Sequence, residues 1–301
     1  MYTLDESEVR VSHVVGARRT VDAEQLVVVH SPPMVRVERS SRGAARRDDR
    51  DVGARSCVVD IFSDLAAEDD RLESILESLD DDAWLSHSSA PGWSVADVVL
   101  HLAQTDESVV ATAATSGGEP SWRTGPQTVD ELMEVMVREE RAAPAEVFAR
   151  WKVARREALS ALRSADPARR LQWAAAPLKP ATLATTRIAE HWAHGLDIVV
   201  PLGIDFPDTD RLRHIAWLGH NTLPYAFALA SLEPQPVYCE LTGPFGDTWC
   251  FGPTDASSRI VGEAGEFCRV GAQRLAPEAS HLVASGPHGA TALKVLRNYA
   301  S

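Results

Sequence analysis

From residue 58 onward, apolar positions fall into a helical rhythm. In "VVDIFSDLAAEDDRLESILESL", Val58, Ile61, Leu65, Leu72, Ile75 and Leu79 recur near helical spacing, which predicts an amphipathic helix. The stretch "PGWSVADVVLHLAQTDESVVATAA" opens with a start signal. Ser94 is a good N-cap, Asp97 stands where a capping box needs an acid, and Trp93 holds the staple position before the cap. Two more helices are predicted, over Thr128–Arg163 with a break near Pro144 and over Thr182–Val200. Pro201 and Gly203 stop the latter, and Pro207 closes the region. Four long amphipathic helices predict a bundle.

The texture changes after Pro207. One more helix is expected from Asp210 to about Leu232, kinked or stopped early at Pro224. "PVYCELTG" alternates and "DTWCFGP" is short and aromatic, so both read as strands. "GEAGEFCRVGAQRLA" and "GATALKVLRNYA" read as helices flanking a last short strand, "HLVASG". The predicted class is α+β: a helical bundle over residues 56–206 and a small α+β domain over 207–301. Residues 1–55 hold ten Arg and nine acidic residues without helical or strand period, and are read as a disordered or extended tail.

Composition narrows the function classes. A chain of 301 residues with 45% hydrophobic and 24% charged content is an ordinary globular protein with room for two domains. No apolar run is long enough to span a bilayer, and Leu26–Val29 is too short for a signal-peptide core, so a cytoplasmic protein is expected. The net charge of −13 argues against nucleic acid and anionic membrane surfaces as partners. A small-molecule substrate stays open, and a monomer or homodimer is expected. Cys57, Cys239, Cys250 and Cys268 form no C-x-x-C pair, so they are expected to be reduced thiols and not zinc or redox ligands.

One helix stretch carries unusual chemistry. In "RIAEHWAHGLDI", Arg187, Glu190, His194 and Asp197 share one stripe, with Ile188, Trp192, Leu196 and Val199 opposite. On that helix alone the stripe fits a solvated face as well as a site. A Glu-x-x-x-His spacing also arises by chance, and Asp210-x-x-x-His214 is a near relative read as surface chemistry. His101 adds weight, because it lies on the apolar face of its helix beside Val98, Leu102 and Thr105, where a core histidine or a ligand would sit. One inward His, plus Glu and His a turn apart on another helix, make three N/O ligands with an open position, as in catalytic zinc sites. The set also suits iron or nickel. Asp197 and Arg187 are candidates to orient the ligands, and Arg187 or Arg274 to grip a substrate carboxylate. His191 projects away from Glu190 around the helix and is not expected to ligate.

"GWSVADVVLHLAQTDE" and "RIAEHWAHGLDI" resemble the two signature stretches of the mycothiol-dependent maleylpyruvate isomerase-like family of the DinB-like metal-binding superfamily. "DRLRHIAWLG", "ELTGPFGDTWCFGP", "GEAGEFCRVGAQR" and "HLVASGP" resemble the C-terminal half of an actinobacterial branch. The resemblance covers about Val58 to Ala300. It implies a DinB-like four-helix bundle with a divalent metal, usually zinc, followed by a small sterol-carrier-like α/β domain. It maps the ligands onto His101, Glu190 and His194, and it implies mycothiol as co-substrate. The implied activity is isomerisation or S-transfer on a small electrophilic metabolite, a carboxylate among the candidates, in secondary metabolism or aromatic degradation. The alternatives are a non-catalytic metal-binding scaffold with a ligand-binding C-terminal domain, and a metal-dependent hydrolase with Asp197 or Asp106 as base.

Overall fold

The computed structural model describes residues 60–115, 128–174 and 176–299; the tail expected over 1–55 lies outside them. The helical part comprises α1 (Ile61–Glu77), a short α2 (Asp81–Leu85), α3 (Val95–Ala114), α4 (Val129–Glu139), α5 (Pro144–Ser164) and α6 (Pro180–Leu202). The four long helices α1, α3, α5 and α6 pack on one another, each touching two or more of the others, and bury two hydrophobic clusters between them. The capping box at α3 is present: Ser94 Oγ accepts from Asp97 N and the Asp97 carboxylate accepts from Ser94 N. Thr128 and Glu131 form a second one at α4. The break expected near Pro144 lies at residues 140–143, with Pro144 opening α5 where its missing N–H costs nothing.

The end of α6 differs from expectation. Pro201 sits inside the last turn, and the helix closes on Gly203 in the left-handed region at φ +65°. Proline cannot donate to the carbonyl of Asp197 one turn earlier. Ser89 N donates to that carbonyl instead, at 2.8 Å, tying the loop before α3 to α6.

The region after residue 207 adds α7 (Leu212–Asn221) and α8 (Leu223–Leu229), divided next to Pro224 as the sequence suggests. There follow β1 (Val237–Thr242), β2 (Thr248–Phe251), β3 (Ser258–Glu263), α9 (Ala264–Gly271), β4 (Val283–Ser285) and α10 (Gly289–Val295). The sheet order is β2-β1-β3-β4, with β1 and β3 parallel and the outer pairs antiparallel. Strand β3 is an addition to the sequence reading; "SRIVGE" buries only Ser258 and Ile260, too weak an alternation to announce itself. Cys239, Leu241, Trp249, Phe251 and Ile260 share the inner face and join a cluster that also holds Leu65, Ile188 and Trp192 of the bundle. The two parts therefore share a core. No helix among the described residues is long and apolar enough to cross a membrane.

Inside the bundle lies a chain of charges. Asp69 of α1, Asp106 of α3, and Arg187 and His191 of α6 are each only 1% exposed. Arg187 Nε donates to Asp106 Oδ1 at 2.9 Å and its Nη2 to Thr105 Oγ1 at 2.9 Å. His191 lies between two carboxylates, Nδ1 at 2.6 Å from Asp69 and Nε2 at 3.2 Å from Asp106. Burial alone would lower the pKa of His191, but Asp106 and Asp69 more than reverse this and push it up to about 9. An unpaired charge at such depth is costly, so the network fixes how α1, α3 and α6 meet.

Two predictions follow from this architecture. His191→Gln leaves Asp69 without its cation and is expected to lower stability by about 3 kcal/mol in urea titrations at neutral pH. Because the folded-state pKa of His191 is raised, its contribution is complete below pH 6.5 and is lost as pH climbs through about 9. The wild type should lose stability across that window, and the variant should not show this loss. Gly203→Ala meets no neighbouring atom, so its cost should be purely conformational, about 1–2 kcal/mol.

Candidate metal centre

The capped start of α3 sets the phase that turns His101 inward, to 7% exposure. On α6, Glu190 and His194 lie one turn apart and face it. Glu190 Oε2 is 3.4 Å from His194 Nε2 and 3.8 Å from His101 Nε2, and the two imidazoles meet edge to face with centroids 4.8 Å apart. One ligand atom from each residue lies within 4.8 Å of the others, the sole grouping of this kind among the described residues.

These separations suit an ion better than they suit each other. They exceed good hydrogen-bond lengths. Two ligands each about 2.1 Å from a tetrahedral ion lie about 3.4 Å apart. His101 Nδ1 is buried with no hydrogen-bond partner among the described residues. Burial holds the His101 pKa below its ordinary value, which keeps the ring neutral as a ligand requires. Burial would raise the Glu190 pKa, yet both imidazoles and Arg187 hold it well below the usual carboxylate range.

Asp197 orients the second histidine. Its Oδ2 accepts from His194 Nδ1 at 2.9 Å, so the neutral ring turns its Nε2 lone pair toward Glu190. Burial lowers the His194 pKa, but Asp197 and Glu190 outweigh it and the net direction is upward. Arg274, from the turn after α9, forks onto Asp197 with Nε at 2.8 Å and Nη2 at 2.5 Å, and its Nη1 donates to the Ala272 carbonyl. Arg187 donates to Asp106 and Thr105 and acts on the candidate ligands only through its charge. It stands behind the row in the charge network. Both guanidinium groups considered for a substrate carboxylate are thus engaged with aspartates.

A cavity of about 470 Å³ opens beside the three residues. Trp93, Met133, Trp173, Trp217, Tyr225 and Tyr299 supply much of its wall. Trp93 was legible only as a helix staple. Its ring lies 5.2 Å from that of His101, and its Nε1 donates to Glu134 of α4 at 2.7 Å. Neither Asp106 nor Asp197 lines the cavity, and both are buried in ion pairs. Asp69 also escaped the sequence reading. Its signal was its position, at helical spacing from Leu65, Leu72 and Leu76, where an acid needs a buried partner.

Comparison with known proteins bears on the fold and the family. The family model described as the mycothiol maleylpyruvate isomerase N-terminal domain matches residues 65–199, which hold all three candidate ligands. An uncharacterized protein of Mycobacterium tuberculosis, found in strains CDC 1551 and H37Rv, is 37% identical over 221 residues, covering 71% of this chain and 85% of the relative. Two crystal structures, of the mycothiol-dependent maleylpyruvate isomerase and of a histidine-to-alanine mutant of it, superpose with TM-scores of 0.53 and 0.54 at 15% identity. Each match covers 75% of this chain and 91% of the other, which shows the shared DinB-like fold. The chain belongs to the mycothiol-dependent maleylpyruvate isomerase-like family.

Proposed function

We propose that this protein is a divalent-metal-dependent enzyme that uses a mycothiol-type thiol to isomerise, or to attach the thiol to, a small electrophilic metabolite. The observation that carries this reading is the convergence of His101, Glu190 and His194 at the wall of a cavity with space for reactants. The family named for a mycothiol isomerase supports the thiol. Two imidazoles and a carboxylate suit zinc first, with iron or nickel compatible.

A divalent ion held by these three residues supplies a Lewis-acid position that favours a thiol as its thiolate, the nucleophilic form. The chain's own residues prepare that position. Asp197 holds the tautomer of His194, and Arg274 keeps Asp197 ionised and aimed. Trp93 shields the His101 ring, and Ser89 fixes the loop that carries this tryptophan. In the cavity the thiol S–H bond breaks, an S–C bond forms at the electrophile's C=C, and the proton passes to the substrate in place of the π bond; elimination reverses these changes. Release after a bond rotation gives the isomer, and retention gives the conjugate.

The hydrolase alternative is less well supported. A water-activating base should reach the cavity, whereas Asp106 and Asp197 are both buried and paired outside its lining. A pure scaffold would not need the Asp197–Arg274 pair behind one ligand.

The test is mycothiol-dependent turnover of maleylpyruvate, a probe electrophile, by the purified full chain, read as isomer or thiol conjugate formed. Glu190→Gln should abolish it. Asp197→Asn should reduce it by about 10–100-fold through His194. Turnover that ignores the thiol, or that survives Glu190→Gln unchanged, would contradict the proposal.

A further inference from the structure

On the thiol-using reading above, we infer that Tyr299 is a further catalytic residue, whose hydroxyl donates to the carbonyl oxygen of the electrophile as the sulfur adds. A C=C bond takes up a thiolate when a conjugated carbonyl accepts the displaced electron pair, so negative charge develops on that oxygen and a donor is needed there. Several hydroxyls lining the cavity are spent elsewhere: Thr105, Ser108, Thr186 and Thr222 all donate to backbone carbonyls. Tyr299 lines the cavity as well. A phenol, with an ordinary pKa of about 10, is a far better proton donor than an aliphatic hydroxyl.

The fold anchors this residue beside the candidate ligands. Tyr299 follows α10, and the two residues before it are tied down. Asn298 N donates to the Gly271 carbonyl at 3.0 Å, its Nδ2 donates to the Cys268 carbonyl at 3.4 Å, and Thr222 Oγ1 donates to the Arg297 carbonyl. The end of α9 thus holds Asn298, and it also holds the turn that carries Arg274, whose N donates to the Arg269 carbonyl at 2.8 Å. Tyr299 and Arg274 therefore reach the cavity from one anchored unit. The phenol is close enough to Asp130, Arg274 and Glu190 to feel each charge, which places it in the part of the cavity next to the candidate ligands. Burial outweighs the nearby guanidinium groups and holds its pKa above the ordinary value, so the proton is present at neutral pH. The step balances. The thiol proton passes to water, the S–C bond forms, and the π pair of the C=C moves to the carbonyl oxygen, which takes the Tyr299 proton. In isomerisation the phenolate recovers that proton as the S–C bond breaks and the C=C re-forms. In conjugation the enol proton shifts to carbon, and water returns a proton to the phenolate.

Tyr299→Phe removes one oxygen and keeps the ring. In the zinc-loaded full chain it should retain its metal and lower kcat for mycothiol-dependent maleylpyruvate turnover about 100-fold, with KM little changed. An unchanged kcat would overturn the inference. So would loss of metal together with activity, which marks a structural role. A second readout needs no thiol. Acetylpyruvate, a diketo acid without a C=C for a thiol to attack, is titrated with base in the presence of each protein, and its enolate is followed by ultraviolet absorbance. The wild type should favour ionisation of the bound probe about tenfold more than Tyr299→Phe does, because the phenol stabilises the enolate oxygen. Equal ionisation in the two proteins, or no perturbation of the probe by the wild type, would overturn the inference whatever the turnover result. A shifted enolate in a wild type without thiol-dependent turnover would instead refute the thiol-using reading and leave Tyr299 standing as the donor to that oxygen.

Discussion

Four charges buried at 1% exposure govern where everything else sits. Asp69, Asp106, Arg187 and His191 have no water to fall back on, so each must meet its partner or the bundle gives up several kcal/mol. Satisfying them sets the rotation of α6 against α1 and α3. Arg187 and His191 turn toward the network, and Glu190 and His194, a short rotation around the same helix, turn toward His101. The polar row on α6 is therefore split between two tasks. One part holds the helices in register and the other faces the cavity.

Further constraints refine that placement. Pro201 cannot donate to the Asp197 carbonyl, and Ser89 fills the gap, which brings the loop carrying Ala90, Pro91 and Trp93 over the histidines. The Asp197 side chain faces the other way in function, holding His194 while Arg274 holds it. Because Arg274 follows α9, the C-terminal part completes the surroundings of a site whose candidate ligands all come from the bundle. The shared hydrophobic core makes this possible, since sheet residues such as Leu241 and Ile260 join the same cluster as Ile188 and Trp192.

Much of this was legible in the sequence, for identifiable reasons. Helix starts at Ser94 and Thr128 are local chemistry, and a capping box can be read from a few residues. The inward His101 was visible because it interrupts an apolar face. The ambiguity of the α6 row could not be resolved from α6, because both a solvated face and a site show the same periodicity. What resolves it is Asp69 and Asp106, far away in the chain. Asp69 was readable in principle as an acid on the apolar side of α1, but its partner was not. The pairing of Arg274 with Asp197 spans 77 residues and follows from no local rule. The strand β3 was missed because its alternation is weak, although its neighbours β1 and β4 were expected.

The central claim is that His101, Glu190 and His194 form a metal centre. Elemental mass spectrometry of the purified full chain after zinc reconstitution and desalting tests it most directly, alongside His101→Ala with folding checked by circular dichroism. Close to stoichiometric metal is expected in the wild type, and its loss in a variant that stays folded. A wild-type chain without retained metal, or a folded His101→Ala chain that retains it fully, would contradict the account.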